Sequence, residues 1–331
     1  MQYRILGRTG MRVSDIGYGA WALGGEWGEQ DDAESRKALH AALDTGVNFI
    51  DTAQKYGDGR SERIVGEVLK ERSEDIIVAS KVPLTDLSKW PPTDADDIME
   101  LYPPDFLVSQ CEGTLRNLQR DYLDIYQFHT WTAAWNERDE WYDTMDKLKR
   151  DGKIRAWGIS CSEPRPEDVV GAVTAGKIDT VQVIYNIFEQ APQGHVLPAC
   201  AEHNVGVIVR VPFDEGSLTG KFTEKTQFGP GDFRKHYFRG NNLKATLRHV
   251  EHVKECKNWK NPDMPMAEYA LRFCLSDQRV STVIPGMRNV RQAELNTAVS
   301  DGVFLGADEL ENLKALNWKR EFWSEEVAAD A

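Results

Sequence analysis

The sequence has little of what nucleic-acid-binding, secreted and membrane-spanning proteins need. Its 53 acidic residues outnumber its 40 Lys and Arg residues, for a formal charge of −13, whereas nucleic-acid binding needs a basic surface. The five cysteines include no CxxC pair, which favours reduced thiols over disulfides. No apolar run is long enough to span a membrane, and MQYRILGRTG lacks the apolar core of a signal peptide. We therefore expect a cytoplasmic protein that uses neither nucleic acid nor a membrane.

What the sequence does have is a regular alternation of short β-rich runs with amphipathic helical segments. A helical pattern follows each run, and the first of them, at 31–45, stops at Gly46, a favourable residue just past a helix end. Eight such units without a linker predict an α/β fold, a (β/α)₈ TIM barrel formed by a single domain over 1–331. The eight predicted strands are 15–20, 47–51, 76–80, 123–128, 154–160, 180–185, 206–210 and 280–284.

An open, doubly wound sheet is the alternative, because GYGAWA (17–22) matches the dinucleotide fingerprint G-x-G-x-x-A. In that fingerprint the glycines open a helix directly, so that the helix dipole meets the pyrophosphate. Here GGEWGEQ intervenes and the predicted helix starts near Asp31, so we interpret the match as coincidental. Extra chain follows the third strand (83–102) and the seventh (211–263). In a barrel, both insertions lie at the face where active sites are built.

Four titratable side chains come at the ends of three consecutive predicted strands. Asp51 ends the second strand and Tyr56 follows in its loop, while Lys81 and His129 come just after the third and fourth strands. Neighbouring strand ends lie side by side in a barrel, so these groups are expected to converge. Each residue alone is common in turns, on surfaces or in cores, but four together indicate a catalytic site.

The predicted cluster suits proton transfer to a carbonyl oxygen. The ordinary pKa of a tyrosine is about 10, too high for easy proton transfer at neutral pH, and a neighbouring ammonium would lower it. We therefore predict that Lys81 lowers the pKa of Tyr56, which acts as the general acid. Asp51 would balance the charge of Lys81, and His129 would hold and orient a substrate oxygen.

The chain resembles the aldo-keto reductase family along nearly its whole length. YRILGRTGMRVSDIGYGAW resembles the family's N-terminal β-hairpin and first strand, and FIDTAQKYG, VASKV and LDIYQFHTW resemble its segments carrying Asp and Tyr, Lys and His. LKRDGKIRAWGIS, VQVIYNIFEQ, GSLTGKF and VIPGMRNVRQAELN match further family blocks in order. The resemblance implies a barrel that binds NADPH or NADP⁺ in extended form. It also implies reduction of an aldehyde, ketone or sugar carbonyl by hydride transfer, with Tyr56 as general acid.

The resemblance further implies where the cofactor binds. Ser160 and Gln182 would hold the nicotinamide carboxamide, the loop 211–221 would wrap the pyrophosphate, and residues from Gly286 onward would surround the adenosine and its 2′-phosphate. The implied cofactor-binding residues are Ala20, Trp21, Asp51, Ser160, Cys161, Gln182, Arg210, Val211, Pro212, Phe213, Asp214, Gly216, Leu218, Lys221, Arg234, Gly286, Arg288, Gln292 and Asn296.

Three residues depart from the family pattern. Cys161 stands where an asparagine usually follows the carboxamide serine, and Leu295 stands where a glutamate is expected. Arg210 replaces the aromatic residue that usually stacks on the nicotinamide. A guanidinium is also flat and can stack; alternatively, it turns to a substrate carboxylate or to an acidic neighbour such as Asp214.

Aromatic residues in the predicted loops point to the substrate. Trp21, Trp90 and Trp131, together with Tyr56 and His129, are the predicted substrate contacts. Their rings suit either an apolar carbonyl compound or the face of a sugar.

A metal site is not predicted, because His249, His252 and Cys256 lack a fourth ligand. Two other functions stay open, namely a sugar or alcohol dehydrogenase that works in the oxidative direction and a non-catalytic NADP(H)-binding subunit like potassium-channel β subunits. The complete catalytic set favours an enzyme acting on a small carbonyl or alcohol. The sequence carries no signal for an oligomeric state.

Overall fold

The computed structural model describes residues 1–162 and 164–323, which form a β-hairpin followed by a parallel barrel. The hairpin pairs β1 (Tyr3–Ile5) with β2 (Arg12–Ser14) in antiparallel fashion. The strands β3 to β10 then pair in chain order, each parallel to the next. They are β3 (Tyr18–Gly19), β4 (Phe49–Asp51), β5 (Ile77–Val82), β6 (Leu123–Phe128), β7 (Ile154–Ser160), β8 (Thr180–Ile184), β9 (Gly206–Arg210) and β10 (Thr282–Val283).

The barrel closes where the first and last of these parallel strands meet. Single bridges join Ile16 to Val283 and Gly19 to Gly286. A Cβ on Gly19 would lie 2.5 Å from the carbonyl oxygen of Ile284, so only a glycine permits this approach. The predicted α/β barrel is confirmed. GYGAWA runs through the first parallel strand into a short 3₁₀ helix (Trp21–Gly24), and the first α-helix begins only at Asp32.

The helices cover the outside of the barrel. The first begins where the Asp31 side chain accepts a hydrogen bond from the backbone N–H of Glu34, a common N-terminal cap, and it buries Ala38, Leu39 and Ala42. In the described residues the α-helices are α1 (Asp32–Asp44), α2 (Arg60–Lys70), α3 (Ile98–Leu101), α4 (Pro104–Leu118), α5 (Glu140–Arg150), α6 (Val170–Thr174), α7 (Val196–Glu202), α8 (Arg234–Tyr237), α9 (Asn242–Lys260), α10 (Met266–Ser276), α11 (Val290–Thr297) and α12 (Ala307–Lys314). Short 3₁₀ helices span Gly7–Thr9, Trp21–Gly24, Leu87–Lys89, Ala133–Glu137, Pro166–Val169, Ala191–Gln193 and Asp214–Thr219.

The two predicted insertions follow β5 and β9. The first carries α3, and the second carries the 3₁₀ helix Asp214–Thr219 with α8 and α9. Asp214, at the base of the second insertion, forms a buried ion pair with Arg320 from the C-terminal segment. This pair fastens the loop after β9 to the last described residues. The single-domain prediction over 1–331 stays a prediction, because residues 324–331 lie outside the described range.

We predict that Gly158→Ala destabilises the barrel. A Cβ on Gly158 in β7 would lie 2.1 Å from Oγ1 and 2.2 Å from the carbonyl oxygen of Thr180 in β8, so the two strands would have to move apart. We expect a loss of about 2 kcal/mol in the free energy of unfolding, measured by urea denaturation. Gly229→Ala is the control, because a Cβ there meets no atom within 4 Å. Equal losses in both variants would contradict this account.

Candidate active site

A buried ion pair lies at the carboxyl ends of β4 and β5. The Lys81 ammonium donates hydrogen bonds to Oδ1 of Asp51 at 2.6 Å, to the carbonyl oxygen of Thr52 at 2.8 Å and to the Tyr56 hydroxyl at 3.3 Å. Lys81 is 0% exposed and Asp51 is 2% exposed. A charge removed from water this completely needs such partners. The structure therefore brings three of the four predicted catalytic side chains into direct contact.

The second oxygen of the Asp51 carboxylate is shared with two amides. Nε2 of Gln182 in β8 donates to Oδ2 at 2.7 Å, and Nε2 of Gln127 in β6 lies 3.4 Å from the same atom. The Oε1 atom of Gln182 is buried and has no hydrogen-bond partner within residues 1–162 and 164–323. That oxygen is therefore open to a donor such as a ligand amide, and Ser160, from β7, lines the cleft nearby.

The pKa of Tyr56 differs from our prediction. Burial raises it well above the ordinary value of 10, and the Asp51 carboxylate raises it further, with Glu26 and Glu215 acting in the same direction and Arg210 opposing them. The predicted net lowering is therefore wrong for the protein alone, because burial and the surrounding carboxylates outweigh the positive charge of Arg210. Tyr56 consequently keeps its proton at neutral pH.

His129 is held in the neutral form beside Tyr56. The two rings meet edge to face with their centres 5.7 Å apart. Burial lowers the pKa of His129 well below 6.5, and the nearby charges of Lys81, Lys55 and Arg210 lower it further. The ring can therefore offer one N–H as a hydrogen-bond donor and keep one nitrogen as an acceptor.

A single cleft of about 1140 Å³ connects these groups with the loops after the later strands. Its volume exceeds the ~300–1,000 Å³ of pockets that enclose drug-sized ligands, so it has room for an elongated molecule and a small partner. The predicted site residues that line it are Ala20, Trp21, Asp51, Tyr56, Trp90, His129, Ser160, Cys161, Gln182, Arg210, Val211, Pro212, Phe213, Gly216, Lys221, Arg234, Gly286, Arg288, Gln292 and Asn296.

Trp131 is the predicted substrate residue that the structure places elsewhere. It is 0% exposed, its Nε1 donates to Oδ1 of Asn136 at 3.0 Å, and its ring packs edge-on against Trp135 and Trp141. This tryptophan is part of the main hydrophobic core. Trp131 as a substrate contact is therefore a correction to the prediction.

Two predicted cofactor residues in the loop after β9 have side chains that do not line the cleft. Leu218 is fully buried, and Asp214 pairs with Arg320 while it accepts a hydrogen bond from Ser217. Their side chains therefore support the loop and do not face the cleft. Asp214 is also not the partner that we considered for Arg210, whose Nη2 donates to the carbonyl oxygen of Cys161 at 3.1 Å.

The far end of the cleft is basic. The Arg288 guanidinium bonds the Gln30 side chain at 2.8 Å and the Glu29 carbonyl oxygen at 2.7 Å, which fixes its position. Above Gly286 there is open space, since a Cβ there meets no atom within 4 Å. This end suits a phosphate-bearing ligand, because cations gather around it. The basic lining residues here are Lys221, Arg234, Arg288 and Arg291.

Several residues that line the cleft were not predicted from the sequence. Trp21 packs against Trp27 and stacks on Phe233, and Phe233 stacks on Trp323, which builds an aromatic wall from Tyr56 outward. Trp27 lies in GGEWGEQ, a segment that we treated only as an interruption of a motif. Lys55 precedes Tyr56 in the chain and could have been noticed from that position.

Neither a metal cluster nor a membrane span emerges from the part of the chain that the structure describes. No group of three His, Cys, Asp or Glu side chains there is placed to hold a metal ion. His249 instead stacks on Trp318 with ring centres 3.7 Å apart. None of the helices in that part is long and apolar enough to cross a membrane.

The barrel with its Asp–Tyr–Lys–His cluster defines a class of oxidoreductases, and sequence comparison names the family. Residues 15–317 match the model for the Aldo/keto reductase family, so the chain belongs to that family. The family resemblance of the sequence is confirmed.

Individual relatives agree with this assignment. The chain is 36% identical to aldo-keto reductase YhdN of Bacillus subtilis over 239 residues, covering 71% of this chain and 69% of YhdN. It is 27% identical to the NADH-specific methylglyoxal reductase of Escherichia coli, covering 88% and 91% of the two chains. The holo form of aldo-keto reductase AKR11C1 from Bacillus halodurans superposes with a TM-score of 0.76 at 26% identity, covering 98% of this chain and all of that one.

We predict that the His129 ring of the protein without ligands does not titrate between pH 6 and 8. Its pKa is lowered because burial and three nearby cations disfavour the imidazolium form. The lowered pKa means that the ring is already neutral at pH 6 and stays neutral as the pH rises. An NMR titration would measure this, with the His129 signals assigned by their loss in His129→Gln. A chemical-shift transition of those signals near pH 6.5 would contradict the prediction.

Proposed function

We propose that this chain is an NADP(H)-dependent enzyme that reduces an aldehyde, ketone or sugar carbonyl, with Tyr56 as the general acid. The observation that carries the proposal is the contact of Lys81 with both Asp51 and Tyr56, next to a neutral His129 at one end of a long cleft. Family membership supports oxidoreductase activity. The proposal adds the cofactor, the direction of reaction and the role of each side chain.

The proton transfer follows from the charges around Tyr56. When bound, the nicotinamide supplies the hydride that the carbonyl carbon receives. The Tyr56 hydroxyl gives its proton to the carbonyl oxygen, and the Lys81 ammonium, 3.3 Å away, stabilises the phenolate that remains. His129 donates a hydrogen bond to the same carbonyl oxygen and orients it. The raised pKa of Tyr56 keeps the acid protonated before each reduction.

The residues of the cleft fit a nicotinamide dinucleotide. The buried, unpartnered Oε1 of Gln182 offers an acceptor to a carboxamide NH₂, with Ser160 as a second polar contact. The loop after β9 has successive left-handed residues, Glu215 and Gly216, with φ of 54° and 97°. Loops of this kind turn backbone N–H groups toward anions, which suits a pyrophosphate. The basic end of the cleft would hold the adenosine phosphate.

The cellular setting of the proposed enzyme is cytoplasmic. All five cysteines are free thiols, and four of them are buried. Free thiols are typical of proteins that stay in a reducing compartment. We propose a small carbonyl compound or alcohol as the substrate that binds beside the cofactor.

Replacement of the acid tests the proposed mechanism. We expect Tyr56→Phe to lose ~10²–10⁴-fold in the rate of carbonyl reduction, because only the proton donor is removed. NADPH binding, followed by fluorescence titration, should stay within a few-fold of the parent. The assay is NADPH consumption across a panel of aldehydes, diketones and sugars. A Phe variant that reduces its best substrate at nearly the parent rate would remove Tyr56 from this role.

Arg288 tests the choice between NADPH and NADH. Its guanidinium can form a bidentate, charge-assisted contact with a 2′-phosphate. We expect Arg288→Ala to weaken NADPH binding at least tenfold more than NADH binding, measured by calorimetric titration of both cofactors. Arg36→Ala is the control, because it removes the same charge from α1, where Arg36 forms an exposed pair with Glu67 away from the cleft. Equal losses for NADPH and NADH in Arg288→Ala would exclude the contact.

A further inference from the structure

Lys55 places a cation at the substrate end of the cleft. It lines the cleft directly before Tyr56, and its Nζ lies 4.7 Å from the centre of the Trp90 ring. The Trp90 ring in turn meets the His129 imidazole edge to face, with centres 4.8 Å apart. The ammonium therefore lies beside the groups that would hold a carbonyl oxygen.

Within residues 1–162 and 164–323 this ammonium forms no hydrogen bond and no salt bridge, and its direct side-chain contact is the cation–π contact with Trp90. Burial lowers the pKa of Lys55, while the nearby Glu26 acts in the opposite direction. Arg234, which also lines the cleft, is by contrast paired with Asp232. Because the Lys55 side chain is exposed at the wall of the cleft, its ammonium is accessible to an anionic group of a ligand.

The charges around His129 favour the same ligand. Lys81, Lys55 and Arg210 all act on His129 as positive neighbours. Asp51 balances the charge of Lys81, and the Arg210 guanidinium donates to the carbonyl oxygen of Cys161. Lys55 therefore remains as the cation that a substrate can engage here.

Glu26 favours a ligand with one negative charge over a ligand with two. Its Oε1 accepts a hydrogen bond from the backbone N–H of Gly57 at 2.9 Å, which holds the carboxylate next to the Tyr56 loop. A phosphate dianion would meet this negative charge and would find only one unpaired ammonium. A carboxylate carries a single charge, and it forms a strong charge-assisted hydrogen bond with one ammonium.

We propose that Lys55 forms a carboxylate-binding subsite and that the substrate is a short oxo acid, with a carboxylate a few bonds from its aldehyde or ketone group. The inference rests on the proposed reductase function and specifies its substrate class. The carbonyl lies between Tyr56 and His129, the carboxylate reaches Lys55, and the Trp90 ring packs against the carbon chain between them.

The test compares 4-oxobutanoate with 4-methylpentanal, which has an uncharged isopropyl group in place of the carboxylate. We expect kcat/KM to be about tenfold or more higher for 4-oxobutanoate, the difference that one charge-assisted hydrogen bond makes. The preference should fall as ionic strength rises, because salt screens an exposed charge. A parent enzyme without this preference would overturn the proposal.

Three variants assign the preference to Lys55. Lys55→Met should abolish it and Lys55→Arg should retain it, since only the methionine removes the cation. Lys37→Met is the control, because it removes the same charge from an exposed pair with Glu34 on α1. A preference that survives Lys55→Met would overturn the proposal and point to another cation, such as Arg210.

Calorimetric titration with butanoate separates the subsite from the reaction. Butanoate carries the carboxylate but no reducible carbonyl, and we expect it to bind to the parent and not to Lys55→Met. Reduction of both aldehydes without a preference for the carboxylate would reject the subsite and leave the proposed function intact. Absence of NADPH consumption with every carbonyl compound of the panel, together with butanoate binding that depends on Lys55, would reject the proposed function and support the subsite. Absence of carbonyl reduction together with absence of Lys55-dependent butanoate binding would reject both the proposed function and the subsite.

Discussion

The ion pair between Lys81 and Asp51 is the interaction on which the rest of the site depends. Both groups are removed from water, and the loss of one partner from a buried pair typically costs 3–5 kcal/mol. Neighbouring strands supply the two side chains, and Gln182 reaches the same carboxylate from β8 on the other side of the barrel. The carboxylate can serve all of these donors only if the strands keep their register. The closed barrel and the chemistry of the cleft therefore depend on each other.

Much of the fold follows from local sequence patterns. The strands 123–128, 154–160 and 206–210 were predicted with the bounds that the structure has, because each is a short apolar run flanked by polar or glycine residues. The strands that close the barrel are shorter than predicted. Of the predicted strands 15–20 and 280–284, only Tyr18–Gly19 and Thr282–Val283 form regular strands. Single bridges join the residues around them.

The catalytic cluster was also predictable, because the carboxyl ends of all barrel strands lie at one face, and this fixes the position of a residue at a strand end. Loop residues were harder to place. Trp90 and Trp131 both follow strands and look alike in sequence, yet Trp90 lines the cleft and Trp131 is buried beneath it. Which of them faces the cleft depends on the path of each loop, and that path is decided by contacts with residues far away in sequence, such as the hydrogen bond that the backbone N–H of Trp131 donates to the Ser162 hydroxyl.

The direction of the pKa shift of Tyr56 was predicted wrongly for a different reason. The sequence showed one ammonium that would lower its pKa, and Lys81 is indeed in contact with the hydroxyl. Burial of the ring raises that pKa most, the Asp51 carboxylate raises it further, and Glu26 and Glu215 add to this effect from loops that fold over the barrel end. The strand pattern of the sequence does not show which loop carboxylates lie near Tyr56, so their effect on its pKa could not be predicted.

The pairing of Arg320 with Asp214 has a consequence for anyone who shortens this protein. The segment that matches the family ends at 317, so a truncation there keeps every strand and α-helix of residues 1–162 and 164–323 but removes Arg320. Asp214 would then remain as a lone negative charge under the loop after β9, with the Ser217 hydroxyl still bonded to it. The boundary at which the family resemblance ends is therefore not a safe place to cut, because an electrostatic anchor of the cleft lies three residues beyond it.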